Sequence, residues 1–252
     1  MESVAADWPE AVETVNPSGS SDIVLICEHA SNHMPGEYRG LGVSPADLQT
    51  HIAWDVGAAE VARGLARVLD APAFLGTYSR LLIDLNRPFQ SPASIPARSE
   101  ATDIPGNIEL GEAEIERRRR VMFTPFHDRV ASCLDRRRNA GRATRIVTIH
   151  SFTPVFLGVT RPWHAGILFD RSRDFAEALI EGLARDSALN VAANQPYVVD
   201  REGDYAIPVH GTDRDLPAVL VEIRNDLVAD AEGIAEWVER LGPVLRSCHT
   251  GR

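Results

Sequence analysis

Lysine is absent from the sequence, and all 26 basic residues are arginine. A pyridoxal Schiff base, a phosphate-binding loop of the P-loop type and a Ser-Lys dyad each depend on a lysine amine. The absence of lysine therefore excludes these three chemistries.

Cysteine is also rare. The three cysteines, Cys27, Cys133 and Cys248, lie far apart and lack the spacing of a metal finger, so we expect reduced thiols rather than a disulfide framework. The first residues carry acidic side chains where a secretory signal carries positive charge and an apolar run. Together these features predict a cytoplasmic protein.

Long apolar runs and excess positive charge are both missing. The longest stretch without Asp, Glu or Arg, residues 146–160, contains His150 and Pro154 and is shorter than the roughly 18 apolar residues of a membrane span. The formal net charge of −10 opposes binding to nucleic acid or to anionic membranes. We therefore expect neither nucleic acid nor membrane as a partner.

The composition is that of a globular protein. Of the 252 residues, 44% are apolar and 25% are charged, and a chain of this length can bury a sizeable core without disulfides. We expect one domain over residues 1–252, with residues 1–20 as a loosely ordered lead.

Hydrophobic periodicity predicts alternating strands and helices, and hence an α/β layered sheet. The predicted strands are 23–27, 73–77, 81–85, 146–149, 165–169 and 218–223, and the predicted helices are 56–69, 112–138, 175–183 and 233–245. Pro125 predicts a kink in the second helix. The long aperiodic connection 88–111 predicts a loop over a functional site.

Polar residues follow the predicted strands, and ligands of open α/β sheets gather beyond the carboxyl ends of the strands. The residues in these positions are Glu28, His29, Asp84, Asn86, Arg87, His150, Glu222 and Arg224. Two imidazoles and one carboxylate would form a catalytic zinc site with an open position. The alternative for His29 and His150 is a structural, hydrogen-bonded histidine, and the alternative for Asp55 is a helix N-cap.

Arginine and glutamate also allow two interpretations each. The guanidinium of Arg87 can hold a substrate carboxylate in a bidentate manner or form a surface ion pair, and Arg80 can belong to a charge cluster with Asp84. Glu222 ends an apolar strand, where burial raises the pKa of a carboxyl group toward that of a general base. Its alternative is a salt bridge to Arg224.

Seven segments, taken together and in order, resemble the N-formylglutamate amidohydrolase family. They are Cys-Glu-His-Ala-Ser-Asn (27–32), His-Ile-Ala-Trp-Asp-Val-Gly-Ala (51–58), Tyr-Ser-Arg-Leu-Leu-Ile-Asp-Leu-Asn-Arg-Pro (78–88), Ile-Pro-Gly-Asn (104–107), Ile-His-Ser-Phe-Thr-Pro (149–154), Arg-Pro-Trp-His (161–164) and Val-Glu-Ile-Arg-Asn-Asp-Leu (221–227). This family is related to zinc carboxypeptidases and aspartoacylase-like deacylases. The resemblance implies a mixed β-sheet flanked by helices, a phosphorylase/hydrolase-like (zinc-exopeptidase-like) fold, and one Zn²⁺ per chain.

The resemblance also implies a ligand set. His29 and His150 are similar to the imidazole ligands and Asp55 to the carboxylate ligand, with Glu28 as its competitor. The carboxypeptidase pattern H-x-x-E would require glutamate where this chain has Asn32, which is why Asp55 is preferred.

The implied reaction is hydrolysis of an N-acyl amino acid that has a free carboxylate. Asn86 and Arg87 match the pair that holds the substrate carboxylate, with Arg80 and Arg224 as further substrate-binding residues, and Glu222 matches the catalytic glutamate. Better-known members read Pro-His-Ser-Gly where this chain reads Glu-His-Ala-Ser, which leaves the acyl group and the amino acid open.

Two other functions stay open at this point. Cys27 with His29 could form a thiol-dependent amidase, and the chain could be a carboxylate-binding protein without enzymatic activity.

Overall fold

A computed structural model describes residues 7–248 of the chain. In chain order, the strands of this part are β1 (Val12–Val15), β2 (Ile23–Cys27), β3 (Ala73–Gly76), β4 (Arg98–Ser99), β5 (Thr102–Asp103), β6 (Arg145–Phe152), β7 (Val155–Phe156), β8 (Val159–Thr160), β9 (Ala165–Leu168), β10 (Val191–Ala193) and β11 (Ala218–Arg224). The α-helices are α1 (Ala58–Leu69), α2 (Glu112–Arg118), α3 (Thr124–Asn139), α4 (Arg173–Leu183) and α5 (Ala231–Ser247).

Seven of the strands form one mixed sheet in the order β1-β3-β2-β6-β11-β9-β10. The central strands β3, β2, β6 and β11 run parallel, whereas β1 is antiparallel to β3 and β9 is antiparallel to β11. The remaining strands form the two hairpins β4–β5 and β7–β8. The expected mixed sheet flanked by helices is therefore confirmed.

Two apolar layers enclose the sheet. Helices α1, α4 and α5 cover one face, with Leu65, Leu179 and Trp237 in the core. Helix α3 covers the other face through Phe126 and Val130. Strands β2 and β6 are buried along their whole length, which explains why β2 is a continuous apolar run rather than an alternating pattern.

The predicted strand 81–85 is wrong. These residues are buried but lie in an irregular segment between β3 and β4. Side chains and turns bind its backbone in place of a strand partner. Asn107 donates to Leu81 O and Arg118 donates to Leu82 O, while the N–H groups of Leu82 and Asp84 donate to backbone carbonyls. A short apolar run is buried equally well in such a segment, so its burial alone does not identify a strand.

The other predicted elements are present with small changes at their ends. The strand β1 lies within the expected loosely ordered lead, and residues 1–6 of that lead fall outside the described residues. The predicted long helix is interrupted by a π-helical turn, Arg119–Phe123, immediately before Pro125. Residues 88–111 form a largely irregular connection that includes β4–β5.

Within residues 7–248, no helix is both long enough and apolar enough to cross a membrane.

Candidate active site

The adjacent parallel strands β2, β6 and β11 bring the predicted polar residues to one edge of the sheet. Glu28 and His29 directly follow β2, while His150 and Glu222 lie near the ends of β6 and β11 and face each other in register. All four side chains are at least nine-tenths buried. The structure therefore brings together the residues that the sequence places at three strand ends.

Asp55 reaches the same place from the loop before α1. Its backbone N–H donates to His29 O at 2.9 Å, which fixes the loop against the end of β2. The N-cap of α1 is Gly57, whose φ of 79° favours glycine and which makes no side-chain capping bond. A Cβ at Gly57 would collide with Val228 O. The carboxylate of Asp55 is therefore free of the capping role.

His29, Asp55 and His150 form a buried cluster that could hold a metal ion. Asp55 Oδ2 lies 3.3 Å from His29 Nδ1 and 2.8 Å from His150 Nδ1. One ligand atom from each residue lies within 4.8 Å of the others. Two imidazoles and one carboxylate would leave a coordination position open to substrate or water.

The second nitrogen of each imidazole faces another carboxylate. His29 Nε2 lies 2.7 Å from Asp84 Oδ1, and His150 Nε2 lies 3.0 Å from Glu28 Oε2. The contact with Glu28 lacks hydrogen-bond geometry, so it is electrostatic. Carboxylates behind metal-binding histidines orient the ring and leave the other nitrogen available to the ion. The donor set therefore fits a metal, with Glu28 behind His150 rather than beside both imidazoles.

The acidic and basic groups of this cluster shift one another's pKa values. Burial opposes ionisation of Asp55, but His29 and His150 hold the pKa of that carboxyl well below its usual range. Burial likewise lowers the pKa of His150, but Glu28 and Asp55 outweigh burial and the pKa rises above its ordinary value. The cluster thus stabilises an ionised carboxylate and attracts positive charge.

Glu222 lies beside this cluster with Oε2 buried and unpartnered among the described residues. Burial raises the pKa of Glu222 to about 7, although the positive charge of His150 opposes this increase. A carboxyl group with this pKa can accept and return a proton near neutral pH. The proposed ion pair between Glu222 and Arg224 does not form, because Arg224 pairs with Asp226 at 2.7 Å.

Arg80 is bound to acidic residues of the cluster. Its Nη2 lies 2.7 Å from Asp84 Oδ2 and its Nη1 lies 3.3 Å from Asp55 Oδ1. The charge cluster with Asp84 expected from the sequence is therefore present, and Arg80 also lines the cavity described below.

Asn86 and Arg87 lie on the cavity wall and contact the segment 203–206. The Asn86 amide donates to Asp204 and accepts from the backbone of Tyr205 and Ala206. Arg87 Nη1 donates to Gly203 O and lies 3.3 Å from Asp204 Oδ1. Both side chains therefore bind residues 203–206 of the cavity wall. The other nitrogens of the Arg87 guanidinium make no hydrogen bond within residues 7–248.

A cavity of about 540 Å³ joins these groups, a size suited to a small molecule. His29, Asp55, Arg80, Asn86, Arg87, His150 and Glu222 line it, as do residues 93, 96 and 98–100 of the long connection. Arg224 is not among the lining residues, so the structure does not bring it to the site. Of the expected site residues, Arg224 alone lies elsewhere.

Three further lining residues, Arg161, Tyr197 and Asp204, were not identified from the sequence. Arg161 belongs to the Arg-Pro-Trp-His segment, which carried the family resemblance but no assigned role. No comparable sequence signal marks the other two, which lie in an irregular connection after β10.

The thiol-dependent alternative has no support in the geometry. Cys27 is fully buried in the core formed by α1, α4 and α5, and burial raises the pKa of its thiol well above the ordinary value, with Asp55 and Glu28 raising it further. Such a thiol is a poor nucleophile because little thiolate forms.

The sequence profile described as N-formylglutamate amidohydrolase (FGase) matches residues 21–229. The chain belongs to the N-formylglutamate amidohydrolase family. Family membership supports a hydrolase that acts on an amide bond, and it agrees with the resemblance found from the seven segments.

Two solved structures are similar to this member of the family. Gene product Atu2144 from Agrobacterium tumefaciens is 40% identical, with a TM-score of 0.91 over 97% of this chain and 98% of that chain. N-formylglutamate amidohydrolase from Ralstonia eutropha JMP134 is 19% identical, with a TM-score of 0.67 over 94% of this chain and 96% of that chain, and shows the shared fold. Among curated proteins, no sequence matches the chain significantly.

Proposed function

We propose that this protein is a zinc-dependent amidohydrolase that cleaves the amide of an N-acyl amino acid with a free carboxylate, such as N-formylglutamate. The proposal rests mainly on the environment of Glu222. This residue is a buried carboxyl group with an unpartnered oxygen and a pKa of about 7, and it lies opposite His150 in the sheet. A residue with a purely structural role would not need to be a buried carboxyl group without a hydrogen-bond partner.

His29, His150 and Asp55 would hold the ion, the two histidines through Nδ1. Zinc, when bound, supplies a Lewis acid that activates water and polarises the amide carbonyl. Asp84 and Glu28 orient the two imidazoles from behind.

Glu222 moves the proton. In this proposal its carboxylate removes a proton from the attacking water, and the same proton is then delivered to the departing nitrogen as the C–N bond breaks. Arg80, kept positive by Asp84 and Asp55, is positioned to stabilise negative charge that develops on the carbonyl oxygen. The products are a carboxylic acid, formate in the case of N-formylglutamate, and the free amino acid.

The proposal is tested with purified protein by elemental analysis and by release of free amine from a panel of N-formyl, N-acetyl and longer N-acyl amino acids. We expect about one zinc per chain and turnover that a chelator abolishes and added zinc restores. Binding of the panel without turnover by the zinc-loaded protein would instead indicate a carboxylate-binding protein, and turnover that resists the chelator would contradict metal dependence.

A further inference from the structure

Arg161 lies in the cavity wall in a setting unlike that of the other arginines there. Only 7% of it is exposed. Its guanidinium carbon lies 4.4 Å from the ring centroid of Phe156 and 4.8 Å from that of Tyr197. Its backbone N–H donates to Pro154 O at 2.8 Å, which closes the β7–β8 hairpin and fixes the position from which the side chain enters the cavity.

The charge of Arg161 has no acidic partner within residues 7–248. The other arginines that line the cavity each pair with a carboxylate, namely Arg80 with Asp84, Arg87 with Asp204 and Arg98 with Asp103. Arg161 Nη2 donates to the Tyr197 hydroxyl at 2.8 Å, and its Nη1 is buried without a hydrogen-bond partner. Burying a cation that has an unused hydrogen-bond donor costs free energy unless an anion binds to it.

We propose that Arg161, positioned by Tyr197, binds a carboxylate of the substrate. This proposal rests on the proposed function and adds a specific residue to it. The aromatic rings around the guanidinium exclude water and so strengthen its attraction for an anion. The bound group is the α-carboxylate or the side-chain carboxylate of the amino acid, and the two are separated by experiment.

The proposed subsite also lies close to the reacting groups. Arg161, Tyr197 and Glu222 line the same cavity, and the charge of Glu222 adds to burial in raising the pKa of the Tyr197 hydroxyl. A carboxylate held by Arg161 would therefore orient the substrate next to the proposed base.

The primary test compares wild type with Arg161→Gln on N-formyl-L-glutamate and on the nearly isosteric N-formyl-L-glutamine. We expect kcat/KM on N-formyl-L-glutamate to fall roughly 10- to 150-fold, as for loss of a charged hydrogen bond, mostly through KM. An equal loss on both substrates assigns the α-carboxylate, and a loss confined to the glutamate derivative assigns the side-chain carboxylate. A loss below about twofold on both substrates overturns the proposal.

The matched control is Arg173→Gln, which removes an arginine that also stacks on an aromatic ring, Phe169, but lies outside the cavity. Kinetics close to wild type are expected. A loss as large as that of Arg161→Gln would show that the effect is not specific to the cavity and would overturn the proposal.

Tyr197→Phe tests the positioning role and serves if Arg161→Gln fails to fold. It keeps the ring but removes the hydroxyl that accepts from Arg161. We expect KM to rise while kcat stays near wild type, and no further effect when both substitutions are combined. Unchanged KM, or effects of the two substitutions that simply add, would contradict this coupling.

Calorimetric binding of glutarate separates this proposal from the proposed function, because binding requires no turnover. Weaker glutarate binding by Arg161→Gln than by wild type supports carboxylate recognition even if the panel of N-acyl amino acids is not hydrolysed. Equal binding by both, in a protein that does hydrolyse the panel, overturns the role of Arg161 and leaves the proposed function intact.

Discussion

His29 and Asp84 are joined by a buried 2.7 Å hydrogen bond from the imidazole Nε2 to the carboxylate Oδ1. Arg80 holds the other oxygen of Asp84, and the two positive partners outweigh burial and keep the pKa of Asp84 well below its usual range. Because an ionised carboxylate only accepts, the proton lies on Nε2 of His29. A metal on the side of Asp55 would then bind Nδ1 and displace any proton held there.

Asp84→Asn is expected to weaken zinc binding although no proposed ligand is changed. Replacing a carboxylate behind a ligating histidine typically costs about 10- to 100-fold in metal affinity. Competition with a chromogenic chelator measures the affinity. Asp103→Asn, which removes an exposed carboxylate paired with Arg98, is the control, and equal affinity of both variants would show that Asp84 does not support the metal.

Removal of an imidazole should have a larger effect. His29→Ala or His150→Ala is expected to lose both the metal and the activity, since a set reduced to one imidazole and one carboxylate binds zinc poorly. His33→Ala, which alters a histidine outside the cluster, should keep one zinc. Full occupancy of His150→Ala by elemental analysis would exclude His150 from the ligand set.

Arg87→Lys is expected to reduce kcat/KM on an N-acyl amino acid by roughly 10- to 150-fold, the cost of a lost charged hydrogen bond. Lysine keeps the charge but cannot reproduce a bidentate contact. Arg138→Lys, at an exposed ion pair with Asp135, is the control. A change within about twofold would show that Arg87 is not a substrate anchor, and its role would be to hold Gly203 and Asp204.

The part of the candidate site that can be predicted from the sequence consists of residues at strand ends. Glu28, His29, His150 and Glu222 follow or end apolar strands, and parallel neighbours bring such ends together. The role of Asp55 was not decided by sequence, because a ligand and an N-cap both place an acid before a helix. In the structure the N-cap of α1 is Gly57, and the sequence does not show that the cap is Gly57 rather than Asp55.

Tertiary packing explains where the structure differs from what the sequence suggests. Residues 81–85 resemble a strand because they are mostly apolar, yet side chains from distant segments bind two of their backbone carbonyls. Arg161 and Tyr197 meet across 36 residues of sequence, and no local pattern predicts that contact. Arg224 lies two residues from Glu222, but its guanidinium instead pairs with Asp226.

A second histidine pair makes folding stability sensitive to acid. His127 Nε2 donates to Leu85 O at 2.8 Å, so Nδ1 accepts from His210 Nε2 at 3.0 Å. Burial lowers the pKa of both rings, well below the ordinary value for His127 and to about 4 for His210. As the pH falls below about 6.5, these histidines are therefore protonated in the unfolded chain before they are protonated in the folded protein.

The contribution of this pair to the free energy of unfolding should thus be largest above pH 6.5 and decrease toward pH 4, by about 1.4 kcal/mol per pH unit for each histidine. His210→Gln keeps an N–H donor for His127 but does not titrate, so its decrease with pH should be shallower. Urea unfolding of the metal-free protein at pH 7, 6 and 5 measures the slopes. Parallel slopes for wild type and variant would contradict the neutral pair.

Glu222→Gln should separate proton transfer from metal binding, because the proposed scheme assigns the proton to Glu222 and the zinc to other residues. Glutamine preserves the shape but cannot accept a proton, so kcat should fall roughly 10²- to 10⁴-fold while zinc content stays at about one per chain. The acidic limb of the pH–rate profile should also change, since wild type must ionise this carboxyl group, whose pKa is raised to about 7, before it can act as a base.

Glu222→Gln should also stabilise the metal-free protein, because the pKa of Glu222 differs between the folded and unfolded states. The folded-state pKa of Glu222 is raised from 4.5 to about 7, so the favourable contribution of its protonated form is complete below pH 4.5 and is lost as the pH rises toward 7. Glutamine does not ionise, so the advantage of the variant in free energy of unfolding should grow from about pH 4.5 to about pH 7 and level off above that. Loss of zinc in this variant would make Glu222 a ligand. A folded, zinc-loaded and fully active Glu222→Gln would refute its role as the base.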